Sequence, residues 1–150
     1  MLGRTHFFIG TAAALAVLQP QTVPVLVTGA GAAAIGSLIS DIDVGTSQAH
    51  RDADKIITAT VAVAALTILA EYKLNLGIYR RLTSDSNILR LLAGTAAFLL
   101  LCAYGKQQPH RSFMHSFAAL ALLTACVDII YPDASAYFAV GFLSHLVLDV

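Results

Sequence analysis

The sequence predicts an all-α, polytopic transmembrane helix bundle of about six helical segments, forming a single domain over residues 1–150. Three observations carry that expectation. The first is composition: 57% of residues are apolar, 12% are charged and the mean hydropathy is +0.75, whereas about a quarter of a water-soluble domain is charged. The second is periodicity, because apolar runs of helical length recur and none shows the two-residue alternation of a strand. The third is placement: all five histidines fall at or near segment ends that an even number of crossings returns to one face, and most of the aspartates accompany them. A chain of this size has no room for a separate soluble catalytic module, so any chemistry is built from helix ends and loops. A formal net charge of zero gives no electrostatic case for a nucleic-acid partner.

The first segment spans about residues 5–19, short against the about 20 residues that cross a bilayer. Arg4 ahead of an apolar run resembles a signal peptide. However, His6 interrupts the start of that run, and Gln19-Pro20-Gln21 follows in place of a small-residue cleavage site, so the segment is retained as a helix. The second covers about 22–40, is entered through Pro20 and Pro24, and is rich in small residues. The third covers about 55–74 and carries no ionisable group from 56 to 70; the fourth covers 87–104, the fifth 113–131 and the sixth 136–150. Short connections at 19–24 and 131–135 predict antiparallel hairpins between segments one and two and between five and six. Cys102 and Cys126 sit inside apolar runs without CxxC spacing and read as small core residues.

Threading these segments puts His6, Asp41, Asp43, His50, His110, His115, His145 and Asp149 on one side of the bilayer. The other side receives Glu71, Asp85, Asp128 and Asp133 and no histidine. Positive residues orient the bundle only weakly: Arg4, Arg51, Lys55, Lys106 and Arg111 on the histidine side face Lys73, Arg80, Arg81 and Arg90 opposite. Five against four leans toward a cytoplasmic histidine side.

Four motifs decide the chemistry. Gly29-Ala30-Gly31-Ala32-Ala33-Ala34 satisfies the GxGxxA form of a dinucleotide fingerprint, but no βαβ unit surrounds it. Gly29, Ala33 and Gly36, with Gly31 beside them, instead give small residues at helical spacing that let a neighbouring backbone approach closely. Ser40-Asp41-Ile42-Asp43 ends the second segment with two carboxylates, where anions oppose the negative end of the helix dipole. They are a solvated terminus or, better matched to that conflict, ligands of a cation. His110-Arg111-Ser112-Phe113-Met114-His115 combines two imidazoles with a guanidinium that suits either lipid headgroups or the paired oxygens of a phosphate. His145 and Asp149 stand at i and i+4 in an otherwise apolar segment, as a His-Asp hydrogen bond or as two ligands of one metal.

These pieces resemble the YdjM-like family of inner-membrane proteins, described as metal-dependent hydrolases. The matching parts are Thr5-His6 with Gly10, Gly36 to Ser47 containing Asp41-Ile42-Asp43, His110-Arg111 followed by His115-Ser116, and Gly141 with Ser144-His145-Leu146 and Asp149. They cover nearly the whole chain in order. That family is in turn distantly similar to the zinc-dependent phospholipase C and P1 nuclease group. The resemblance implies metal-site roles for His6, Asp41, His115, His145 and Asp149, and extends to Asp43 and His110. Ser40 stands where a proline is usual and Val44 where a histidine is common, and His50 is the candidate substitute for that ligand. The chain ends one residue after Asp149, where relatives usually continue, which reads as a missing C-terminal wall of the site or a truncated chain.

The expectation is therefore a membrane-bound hydrolase of the bacterial inner membrane, with one or two divalent ions, zinc first and manganese as an alternative, held by imidazoles and carboxylates. Its expected substrate is a phosphoester of a membrane lipid or lipid-linked molecule. His6, Asp41, Asp43, His50, His115, His145 and Asp149 are the candidate ligands, with Asp43 or His110 as general base or acid and Arg111 steadying the phosphate. The rival classes are a metal or proton transporter, which predicts polar ligands through the bilayer depth, and a bundle whose metal only stabilises the fold.

Overall fold

The computed structural model describes residues 3–43, 49–77, 80, 88–109 and 112–149. Among these residues there is no strand, and six helices follow in order: α1 (Gly3–Leu18), α2 (Val23–Ile39), α3 (Ala49–Leu74), α4 (Ile88–Gln107), α5 (Phe117–Ile130) and α6 (Pro132–Leu148). A 3-10 turn, Ser40–Asp43, continues α2.

Most boundaries differ from the sequence expectation by a few residues, for identifiable reasons. α5 starts at Phe117 instead of 113, because the Ser116 hydroxyl accepts from the Ala119 amide at 3.1 Å and caps the helix there. α6 starts earlier than expected, at Pro132, whose fixed φ is pre-set for a first helical position, with Asp133 favourably placed in the positive first turn. α1 ends where Gln19 adopts φ 43°, a left-handed residue that reverses the chain toward α2, and α3 ends at Asn75 in the same way.

α1, α2 and α6 form the tightest part of the bundle, with α5 against α6, α4 against α5 and α3 against α2. The small-residue stripe of α2 sets this arrangement. A Cβ on Gly36 would fall on the Phe138 carbonyl oxygen, and one on Gly141 would fall on the Ala33 carbonyl oxygen, so α2 and α6 meet backbone to backbone. Gly10 of α1 completes the junction: a Cβ there would lie 2.6 Å from Ser37 Cβ and 2.7 Å from Ser144 Oγ. Gly31 points elsewhere, toward Thr67 and Val63 of α3. Cys102 and Cys126 are free thiols buried in the core. Cys102 joins Ile39, Met114, Leu123, Phe138 and Phe142 in one cluster.

Among the described residues one stretch, Val23–Ile42, is long and apolar enough to cross a membrane by itself. The apolar helices Thr5–Leu18 and Phe117–Ile130 are shorter. Three helical hydroxyls are satisfied locally: Thr11 donates to the Phe7 carbonyl at 2.7 Å, Thr28 to Pro24 at 2.8 Å and Thr67 to Val63 at 2.9 Å.

Candidate metal centre

Four chain segments bring ionisable side chains to one end of the bundle. α1 contributes His6 from its first turns, the 3-10 turn after α2 contributes Asp41, the turn before α5 contributes His115, and the end of α6 contributes His145 and its C-cap residue Asp149. The junction at Gly10, Ser37 and Ser144 lies about one helical turn inside this cluster, so the contacts that lock α1, α2 and α6 also fix the cluster's spacing.

His145 is the centre of it. Its side chain is 0% exposed, and Nδ1 lies 2.9 Å from the Ser37 carbonyl oxygen. A carbonyl only accepts, so Nδ1 carries the proton and donates it. Ser37 lies in the last turn of α2, which stops at Ile39, where carbonyls lose their i+4 helical donors and can accept from elsewhere. Nε2 then faces Asp41 Oδ1 at 3.2 Å and His115 Nε2 at 3.4 Å. His115 Nε2 in turn lies 3.3 Å from Asp149 Oδ2 and 3.9 Å from Asp41 Oδ1.

With a neutral His145, a nitrogen lone pair confronts a carboxylate oxygen, and the two repel. Either a second proton on the ring or a cation between the groups removes the conflict. The geometry fits the cation. Atoms bound tetrahedrally to zinc at 2.0–2.1 Å lie about 3.3 Å from one another. Ligand atoms of Asp41, His115 and His145 all fall within 4.8 Å of one another, the closest at 3.2 and 3.4 Å. Fixing one imidazole nitrogen on a backbone carbonyl so that the other is presented is also the usual second layer of a metal-bound histidine.

His6 sits against this group, with its ring centroid 4.1 Å from that of His145 and the planes tilted by 36°. It is 1% exposed, yet its Nδ1 has no hydrogen-bond partner, and the buried Ser40 hydroxyl shares that condition. Leaving such a group unsatisfied costs about 1–3 kcal/mol, so the His6 nitrogen, on a ring packed against His145, matches a site completed by a bound species. Exposure is graded across the cluster: the imidazoles are interior, whereas the side chains of Asp41 and Asp149 remain 24% and 15% exposed. The carboxylates therefore form its mouth.

Of the candidates from sequence, His6, Asp41, His115, His145 and Asp149 come together. His145 and Asp149 both approach His115, so the i, i+4 spacing supplies two contacts to a third side chain. The side chains of Asp43, in the 3-10 turn, and His50, near the start of α3, lie outside the described residues, as do His110 and Arg111 altogether. Sequence reasoning missed the Ser37 carbonyl and the Ser40 hydroxyl. A backbone acceptor carries no residue-type signal, and Ser37 is hidden in a stripe whose evident purpose is packing.

Residues 1–150 match the family described as YdjM inner membrane protein. No curated protein and no solved structure matches the chain.

Proposed function

The chain belongs to the YdjM inner membrane protein family, and from that premise we propose a polytopic, metal-dependent hydrolase of the bacterial inner membrane that cleaves a phosphoester of a lipid or lipid-linked substrate. The observation that carries the reading is the convergence of two carboxylates and three imidazoles from four segments at one bundle end, with ligand-like spacing among Asp41, His115 and His145.

A many-span topology is supported by what the helices present outward. Phe8 of α1, Ile68 of α3, Leu100 of α4, Phe117 of α5 and Val147 of α6 are each at least 66% exposed. A water-soluble domain rarely shows large apolar side chains around its whole circumference, whereas a bundle bathed in lipid does. Hydroxyls bonded back to their own helices fit the same solvent.

Asp41, His115 and His145 would hold the ion, with Asp149 and His6 adjacent and Asp43 and His50 as further candidates. A divalent ion, zinc first and manganese as the alternative, supplies an acidified water and neutralises phosphoryl charge. The Ser37 carbonyl keeps His145 in one tautomer and one orientation. Asp43 or His110 serves as general base or acid, and Arg111 binds the phosphate through its planar donor fork. A cluster confined to one end of the bundle suits a substrate whose polar part lies at the surface, and is poorly suited to carrying an ion through the bilayer depth.

One observation favours a second reading, a metal that only stabilises the fold: His145 is fully buried and tied to the backbone of α2. The two readings part on turnover. Purified protein in detergent is offered a panel of lipid phosphoesters, with and without chelator, and release of phosphate or headgroup is measured. The hydrolase reading expects metal-dependent release, and expects Arg111→Ala to keep fold and metal while losing turnover by about 100-fold. Metal-replete, folded protein that releases nothing from any of them gives the stabilising reading precedence.

A further inference from the structure

An open groove of about 340 Å³ lies outside the metal cluster, between α1 and α3. Its floor is Ala30, Gly31 and Ala34 of α2, which leave a trough because their side chains are a methyl or nothing. Ala34, at one end of the lining, lies three residues before Ser37, whose carbonyl holds His145, so this end of the groove is the one nearer the cluster. From Ala34 it runs to Leu26, about 12 Å along α2 at the helical rise. A volume of 340 Å³ over that length leaves a cross-section of about 28 Å², room for one hydrocarbon chain.

The lining specifies the chemistry of the occupant. The two hydroxyls that reach the groove, on Thr11 and Thr67, donate to the Phe7 and Val63 carbonyls of their own helices. Neither proton is available to a guest, and the remaining lining is aliphatic or aromatic. A polar ligand would be desolvated there without hydrogen bonds, at a cost that a hydrocarbon chain does not incur. Leu26 and Leu66 line the groove and are 42% and 63% exposed, so it opens laterally toward the apolar exterior instead of toward water.

We infer that this groove receives one acyl chain of a membrane phospholipid, directed so that the phosphate end lies beside His6 at the metal cluster. The inference rests on the lipid-phosphoester reading above and narrows it to a substrate held by a single chain threaded between α1 and α3, with its polar end presented to Asp41 and Asp149.

The test uses the full chain in vesicles of phosphatidylethanolamine and phosphatidylglycerol, doped with a phosphatidic acid bearing a diazirine at the end of one acyl chain. After photolysis, labelled residues are mapped by peptide mass spectrometry. Labelling at Leu26, Val27, Val63 and Thr67 should exceed that at Leu99, Leu100 and Leu122 on the outer surface by on the order of tenfold. It should saturate and be displaced by unlabelled phosphatidic acid. Ala30→Leu and Val63→Phe, which fill the groove from its floor and from one wall, should each return labelling to the outer-surface level, with retained metal content reporting that the bundle is folded. Uniform labelling of all exposed apolar surfaces overturns the inference, because it describes ordinary boundary lipid. Saturable groove labelling without turnover of any lipid phosphoester keeps the chain site and removes the hydrolase reading, whereas turnover with uniform labelling does the reverse.

Discussion

Both ends of the bundle carry ionisable residues and treat them in opposite ways. At the end opposite the cluster, Asp128 and Arg90 are exposed, the Ser135 hydroxyl lies 3.0 Å from Asp128 Oδ1, and the Arg90 guanidinium donates to the Asp128 carbonyl at 3.3 Å. Water solvates what those contacts leave over, and such surface interactions contribute little, about 0–1 kcal/mol. At the cluster end, His6 and His145 are sealed from water while the His145 Nε2 lone pair lies 3.2 Å from a carboxylate oxygen of Asp41. Burying polar groups in mutual conflict is costly unless something binds them. The difference teaches that ionisable residues at a helix end are not in themselves a site. What distinguishes one is inward convergence with the hydrogen-bonding capacity left incompletely used.

The comparison is broken most completely by topology. If the ends lie on opposite faces of a membrane, Ser47→Cys and Ser84→Cys should label from opposite sides with a membrane-impermeant thiol reagent, an all-or-none outcome. Equal labelling from one side removes the many-span bundle.

Next in size is metal content. His145→Ala should weaken binding by more than about 100-fold, since loss of outer-layer partners alone typically costs 10–100-fold. Asp149→Ala should lower it less, because Asp149 stands outside the group of Asp41, His115 and His145 whose ligand atoms lie within 4.8 Å of one another. Elemental analysis after gel filtration reads both. Full occupancy in each variant would return the pair to an ordinary polar contact.

A packing change sharpens the comparison further. Gly141→Ala places a methyl on the Ala33 carbonyl and must push α6 from α2, at about 1–3 kcal/mol. Its thermal midpoint in detergent should fall, and metal affinity should fall with it, since the same crossing spaces His145 from Asp41. A loss of stability without any loss of metal would uncouple the junction from the cluster.

The smallest effect belongs to the opposite end. Asp128→Asn should change stability by no more than about 0.5 kcal/mol and leave metal content alone. A larger change would mean that this end is built, too.

Much of this arrangement is legible in the chain before folding. Helical class and the number of helices follow from hydropathy and the absence of alternation, which are properties of neighbouring residues. The side on which His6, Asp41, His115, His145 and Asp149 lie follows from counting segments, and the packing use of Gly29, Ala33 and Gly36 follows from their spacing along one helix. Boundaries slipped where a cap overrode composition, as at Ser116 and Pro132. Tertiary structure alone decided which candidates touch. Segment counting assigns a residue to an end, but its direction within that end depends on helix rotation and crossing distance, and these are set by the backbone contact of Gly36 and Gly141 with the partner helix. It alone supplied the Ser37 carbonyl as the partner of His145, because a backbone acceptor is identical at every position until a helix end leaves it without an internal donor.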